Sequence, residues 1–110
     1  MVSGVDSMMK MIMAIVNKED SRHTVTALTA EGFSVTRLAT TGGFLMDANV
    51  TLLIGVEEEK VDAVLAIIEK TCKKRKQVVP NNLYGTSYPV EVNVGGATVF
   101  VMPVERFERL

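Results

Sequence analysis

Two apolar stretches of strand length, residues 11–16 and 50–56, constrain the fold of this chain more than any other feature. The first is continuous, as expected of a strand buried on both faces, and reads as the centre of a sheet. Neither approaches the ~20 residues that span a bilayer, so no segment is expected to cross a membrane. Between and after them the apolar pattern changes period. Val25 and Leu28 recur at helical spacing behind Asp20 or Ser21 as the N-cap, and Gly32 supplies the stop. In a second helix Val61, Val64, Leu65, Ile68 and Cys72 form an apolar stripe. Glu57, Glu58 and Glu59 open it at the positive end of the dipole, and Lys70, Lys73, Lys74, Arg75 and Lys76 cluster at the negative end.

The remaining segments read as strands and loops. Phe33 and Val35 alternate with Ser34 and Thr36 in a half-exposed strand running to Leu38, which forms a hairpin with residues 50–56. Their connection, residues 41–49, is longer than a tight turn and invites a functional reading. Pro80, Asn81, Asn82 and Gly85 mark a loop, after which Val90, Val92 and Val94 alternate with Glu91 and Asn93. Gly95 and Gly96 then turn the chain into a last apolar strand, residues 97–104.

Strand, helix, strand, strand, helix and strands, in that order, predict an α+β, ferredoxin-like βαββαβ sandwich over residues 9–110, with two helices on one face of an antiparallel sheet. Residues 1–8 read as an N-terminal extension expected to be disordered. The arrangement leaves the other sheet face without a covering layer. In a chain that is 47% hydrophobic, with a mean hydropathy of +0.22, that face is expected to bury itself against identical chains as a homo-oligomer.

Composition removes several functions. One Cys and one His exclude a disulfide framework or a multi-thiolate zinc site within a single chain, so no metal is expected. A net charge of −1 gives no global attraction to a nucleic acid polymer or an anionic membrane surface. Residues 1–7 are short and mixed and carry no secretory pattern, which makes the cytoplasm the expected compartment.

Candidate sites are few, and each has a plain structural alternative. In Thr40-Thr41-Gly42-Gly43-Phe44-Leu45, glycines allow backbone amides to converge on an anion and the ring can cover a base or sugar. A glycine pair is also what a loop with positive φ requires, and it is far less specific than a Walker loop. Asn49 offers an amide to a base edge, yet Asn is equally a routine turn residue. Lys73 to Lys76 read as a solvated run stabilised by the helix dipole, with Arg75 the member best suited to a phosphate. His23 has no Asp, Ser or Cys arranged around it, and Cys72 continues the core stripe. No catalytic constellation emerges, so the chain is not expected to be an enzyme.

Met9-Lys10-Met11-Ile12, Leu38-Ala39-Thr40-Thr41-Gly42-Gly43-Phe44-Leu45, Tyr88-Pro89-Val90-Glu91-Val92 and Gly95-Gly96-Ala97-Thr98-Val99-Phe100-Val101-Met102-Pro103-Val104 together resemble the PII-like cyclic di-AMP receptor family. The closing stretch Phe100-Val101-Met102-Pro103-Val104-Glu105 is also similar to that of the nitrogen-regulatory PII proteins. The resemblance implies a homotrimer with sheets facing inward and cyclic di-AMP held at each subunit boundary near the loop between the second and third strands. It implies a signal carrier without a further cofactor, whose loops order on binding and engage a protein target that the residues do not identify. Carried over, the ligand-binding positions are Thr36, Gly43, Phe44, Leu45, Asn49, Gly55 and Phe100. Thr36 would supply a hydroxyl, Asn49 an amide and Phe100 an apolar wall.

The chain departs from the family pattern in three places. Gly32-Phe33-Ser34 stands where many relatives have Asn-Phe-Arg, which removes a charge-assisted contact of roughly 1.5–3 kcal/mol. Residues 78–88 form a shorter loop than usual and lack a Pro-Met-Gly-Gly stretch. Arg109 replaces a frequent Gln and is expected to return positive charge from another direction. These departures motivate an alternative: a PII-like protein that does not bind cyclic di-AMP and instead senses ATP, another nucleotide or a small anion, or scaffolds a partner.

Overall fold

The structure, a computed structural model, describes residues 8–38, 49–79 and 90–110. Elements follow in the order β1 (Met9–Asn17), α1 (Lys18–Ala30), β2 (Val35–Leu38), β3 (Asn49–Glu57), α2 (Val61–Thr71), β4 (Arg75–Val79), β5 (Val90–Val94) and β6 (Ala97–Pro103). A four-stranded antiparallel sheet has the order β2-β3-β1-β6, so each helix crosses between two parallel strands separated by one antiparallel strand. This is the expected ferredoxin-like α+β arrangement. β4 and β5 add a separate antiparallel ribbon.

Strand periodicity decides where the core sits. In β1, Ile12, Ala14 and Val16 are buried, and in β3, so are Val50, Leu52, Ile54 and Val56. Ile12 pairs with Ile54, Ala14 with Leu52 and Val16 with Val50, so these side chains share one sheet face. Leu28 of α1, with Val64 and Ile68 of α2 and Cys72 just beyond it, packs onto that face. The helices meet through a small polar hub. Thr24 is fully buried, and its hydroxyl lies 3.0 Å from the Asp20 carbonyl, 2.8 Å from the Thr71 hydroxyl and 3.2 Å from the Cys72 thiol.

The helix ends follow local chemistry. Gly32, at φ 88°, donates its N–H to the Thr29 carbonyl, while the Phe33 N–H reaches the Leu28 carbonyl. These are the paired bonds of a Schellman stop, and Phe33 continues into the core. The expected N-cap is corrected. Asn17, extended at φ −64° and ψ 141°, ends β1 and caps α1 at once, its Oδ1 accepting from the Glu19 N–H at 2.8 Å. Asp20 and Ser21 therefore fall inside the first turn, where both are buried. The second helix is also shorter than its acidic start suggested: Glu57 closes β3, and a 3-10 turn over Glu58–Lys60 precedes Val61.

The cationic run after α2 is exposed as expected, but its second half is a strand: Arg75 and Lys76 open β4, where Arg75 pairs in register with Val94. Three consecutive polar residues, Arg75, Lys76 and Gln77, mask the strand pattern, and the strand is specified by its partner β5. The Gly96 N–H then donates to the Cys72 carbonyl at 2.5 Å, tying the ribbon's exit to the end of α2.

Candidate ligand-binding face

The alternation that buries one sheet face leaves the other without a covering layer among the described residues. Its rows follow from the register. Thr36, Leu53, Met13 and Phe100 lie side by side across β2, β3, β1 and β6. Leu38, Thr51, Ile15 and Thr98 form the next row, and Gly55, Met11 and Met102 the one on the opposite side. Phe100 is 51% exposed and Leu38 42%, an apolar surface of the kind soluble chains cover by association.

Four sequence-derived site residues project from this face. Thr36 lies on the β2 edge, Phe100 on the β6 edge, Gly55 within β3, and Asn49 at the first residue of β3, paired with Asn17. Thr36, Asn49, Gly55 and Phe100 are all exposed. Three interstrand steps separate Thr36 from Phe100, about 14 Å. Gly43, Phe44 and Leu45 lie outside the described residues. Arg109 belongs to the segment after β6, which leaves the sheet at the Lys10 end, opposite Asn49. Its guanidinium carbon sits 5.8 Å from the centroid of the Phe107 ring, so within the protomer it joins an aromatic side chain rather than the other four.

Gly55 stands out by what surrounds it. A Cβ built there meets nothing within 4 Å, and its backbone does not lie in the left-handed region. Neither sterics nor torsion within the protomer calls for glycine. A glycine inside a strand then points to the close approach of something outside the protomer. Met13 and Leu53, which fill the row between Thr36 and Phe100, were not singled out from sequence; their only signal was membership of the two apolar runs, residues 11–16 and 50–56.

The other polar candidates are committed elsewhere. Arg75 donates to both Asp20 carboxylate oxygens, at 3.3 and 3.0 Å, and to the Lys73 carbonyl at 3.1 Å. The bond to Asp20 holds its guanidinium pKa above the ordinary value. Cys72 is buried as its place in the stripe predicted, and His23 is exposed on α1. At the far end of the face, a hydrogen bond that the protonated Glu57 carboxyl donates to Glu59, reinforced by repulsion between the two carboxylates, raises the Glu57 pKa. No cluster of three metal-ligating side chains occurs among the described residues, and no described helix is long and apolar enough to cross a membrane. The face thus offers a hydroxyl, an amide, a bare backbone position and an aromatic wall, which suit binding rather than bond cleavage.

A family model for cyclic-di-AMP receptors matches residues 9–110. The chain belongs to this family. Among solved structures, a functionally unknown protein from Pediococcus pentosaceus is 41% identical, with a TM-score of 0.75 over 94% of this chain and 99% of that one. Arabidopsis thaliana PII bound to citrate shares the fold at 23% identity and a TM-score of 0.60, covering 89% of this chain and 78% of that protein. CutA1 from Oryza sativa does so at 12% identity and 0.56, covering 93% and 85%. For a cyclic-di-AMP receptor family member, the ferredoxin-like sheet with its PII-like topology is the expected scaffold, and it supports a nucleotide-binding signalling protein.

Proposed function

We propose that this protein binds cyclic di-AMP at the boundaries between the subunits of a homotrimer and relays occupancy through loop ordering to a protein target. The observation that carries the reading is the placement of Thr36, Asn49, Gly55 and Phe100 on one uncovered sheet face of a cyclic-di-AMP receptor family member. Because Thr36 and Phe100 occupy opposite sheet edges, apposing one subunit's β2 edge to the next subunit's β6 edge brings the two kinds of group together. Burial of the Met- and Leu-lined face between subunits supplies the driving force for assembly. Gly43, Phe44 and Leu45 belong to the same reading as backbone and apolar contacts, and Arg109 as a cation reaching the site from the tail. The protein acts by binding, without turnover and without a further cofactor, in the cytoplasm.

Ser34, the exposed residue directly before β2, favours the second reading, a PII-like protein tuned to ATP, another nucleotide or a small anion, or one that scaffolds a partner. Isothermal titration of wild type, Asn49→Ala and Ser34→Arg with cyclic di-AMP and with ATP separates the two. Cyclic di-AMP is expected to bind wild type, about tenfold more weakly to Asn49→Ala and more tightly to Ser34→Arg, as loss and gain of one polar contact imply. Heat from ATP alone, with no response to cyclic di-AMP in any variant, overturns the first reading.

A further inference from the structure

A second concavity lies on the helix side of β6, away from the face just described. It encloses about 530 Å³ between α2, the Gly95-Gly96 turn and β6, within the range of small-molecule sites, about 300–1,000 Å³. Leu65 and Ile68 of α2 face Ala97 and Val99 of β6 across it. Ala97 and Val99 pair with Val16 and Ala14, so they project to the helix side, whereas Thr98 and Phe100 project to the open face. The mouth carries Lys73, Lys74 and Glu69, two cations against one carboxylate. The Lys74 stem passes over Gly96: its carbons run 3.0–3.7 Å from the position a Cβ would take there, at φ 78°, so only glycine leaves it that path. Neither lysine has a carboxylate within ion-pair distance among the described residues.

We propose that this cavity binds a medium-chain amphipathic carboxylate, its alkyl chain laid between α2 and β6 and its carboxylate at Lys73 and Lys74. An apolar trough ending in two cations matches a molecule with one long apolar body and one anionic end. It fits a nucleotide poorly, since the lining offers no base-edge amide. The Lys74 stem lies over Gly96 within the lining, and a long cationic side chain of this kind can serve both an apolar and an anionic neighbour. The assignment is independent of the cyclic di-AMP reading, because none of the residues proposed for that ligand lines this cavity.

The test uses the full chain and 8-anilinonaphthalene-1-sulfonate as fluorescent probe, displaced by hexanoate, octanoate and decanoate. Each buried methylene contributes ~0.8 kcal/mol, so affinity should rise about fifteenfold per two carbons. Decanol, lacking the charge, should bind about tenfold more weakly than decanoate, and Lys73→Ser/Lys74→Ser should erase that difference. Ala97→Phe should fill the trough and abolish displacement while leaving the response to cyclic di-AMP unchanged. If Ala97→Phe fails to fold, judged by circular dichroism, the double lysine variant decides alone, since both positions are exposed. Equal displacement by all chain lengths, or loss of assembly mass in Ala97→Phe with no probe binding to wild type, overturns the proposal; the second result assigns the cavity to a neighbouring copy of the chain.

Discussion

Arg75 Nη2 lies 3.0 Å from Asp20 Oδ1, joining the first residue of β4 to the first turn of α1 across 55 positions of sequence. The partners are unequally placed: the Asp20 side chain is 10% exposed and that of Arg75 42%. Removing the guanidinium strands a buried carboxylate, whereas removing the carboxylate leaves a cation that water can reach.

Arg75→Ala should therefore lower the urea midpoint more than Asp20→Asn does. In Asp20→Asn/Arg75→Ala part of the loss should return, because the stranded charge is gone. Equal midpoints for the two single variants would contradict this account.

The Thr24 hydroxyl is a hub between helices, but its neighbours keep other partners: Thr71 Oγ1 still donates to the Ile67 carbonyl at 2.9 Å. Thr24→Val preserves volume and should cost about 1 kcal/mol in chemical denaturation, the net worth of one hydrogen bond. A loss several times larger would mean that the thiol of Cys72 is left unsatisfied as well.

Two glycines at positive φ should respond differently to alanine. At Gly32 a Cβ meets nothing within 4 Å, so Gly32→Ala should cost only the left-handed torsion, about 1–2 kcal/mol. At Gly95 the Cβ runs into the Lys73 carbonyl and lies 2.8 Å from Arg75 Nη1. Gly95→Ala should lower the thermal midpoint further than Gly32→Ala and disturb the Arg75 contacts with it.

Gly55 separates fold from assembly. Gly55→Val adds a β-favouring side chain in open space and should leave the isolated protomer's fold intact or raise its stability by about 0.5–1 kcal/mol. Titration should nevertheless show at least tenfold weaker cyclic di-AMP binding, or light scattering a reduced assembly mass. Unchanged binding and mass together would remove Gly55 from the site.

Residues whose environment is set within a few positions were the legible ones. The strand character of β1 and β3, the Gly32 stop and the Val64-Ile68-Cys72 stripe could all be read from the sequence; that β1 buries only Ile12, Ala14 and Val16 on one face could not, because its run is apolar on both. Asn17 was missed as a cap because the apolar run hid where the strand ended and the helix began. β4 was missed because Arg75, Lys76 and Gln77 carry no strand signal; distant β5 and Asp20 hold that segment. Among the candidate site residues, Asn49 and the Gly43-Phe44-Leu45 segment stood out by residue type, whereas Thr36, Gly55 and Phe100 were legible only through the family resemblance. Thr36 and Phe100 reach the same sheet row by register, which no local pattern encodes.

The central strand of the open face presents Met9, Met11 and Met13, and β6 adds Met102 beside them. Unbranched thioethers change shape by rotating about their own bonds, so this surface can conform to a facing subunit without moving the sheet beneath it. The same atoms make it vulnerable: conversion to sulfoxide would place polar groups in the middle of the row and loosen whatever had assembled upon it.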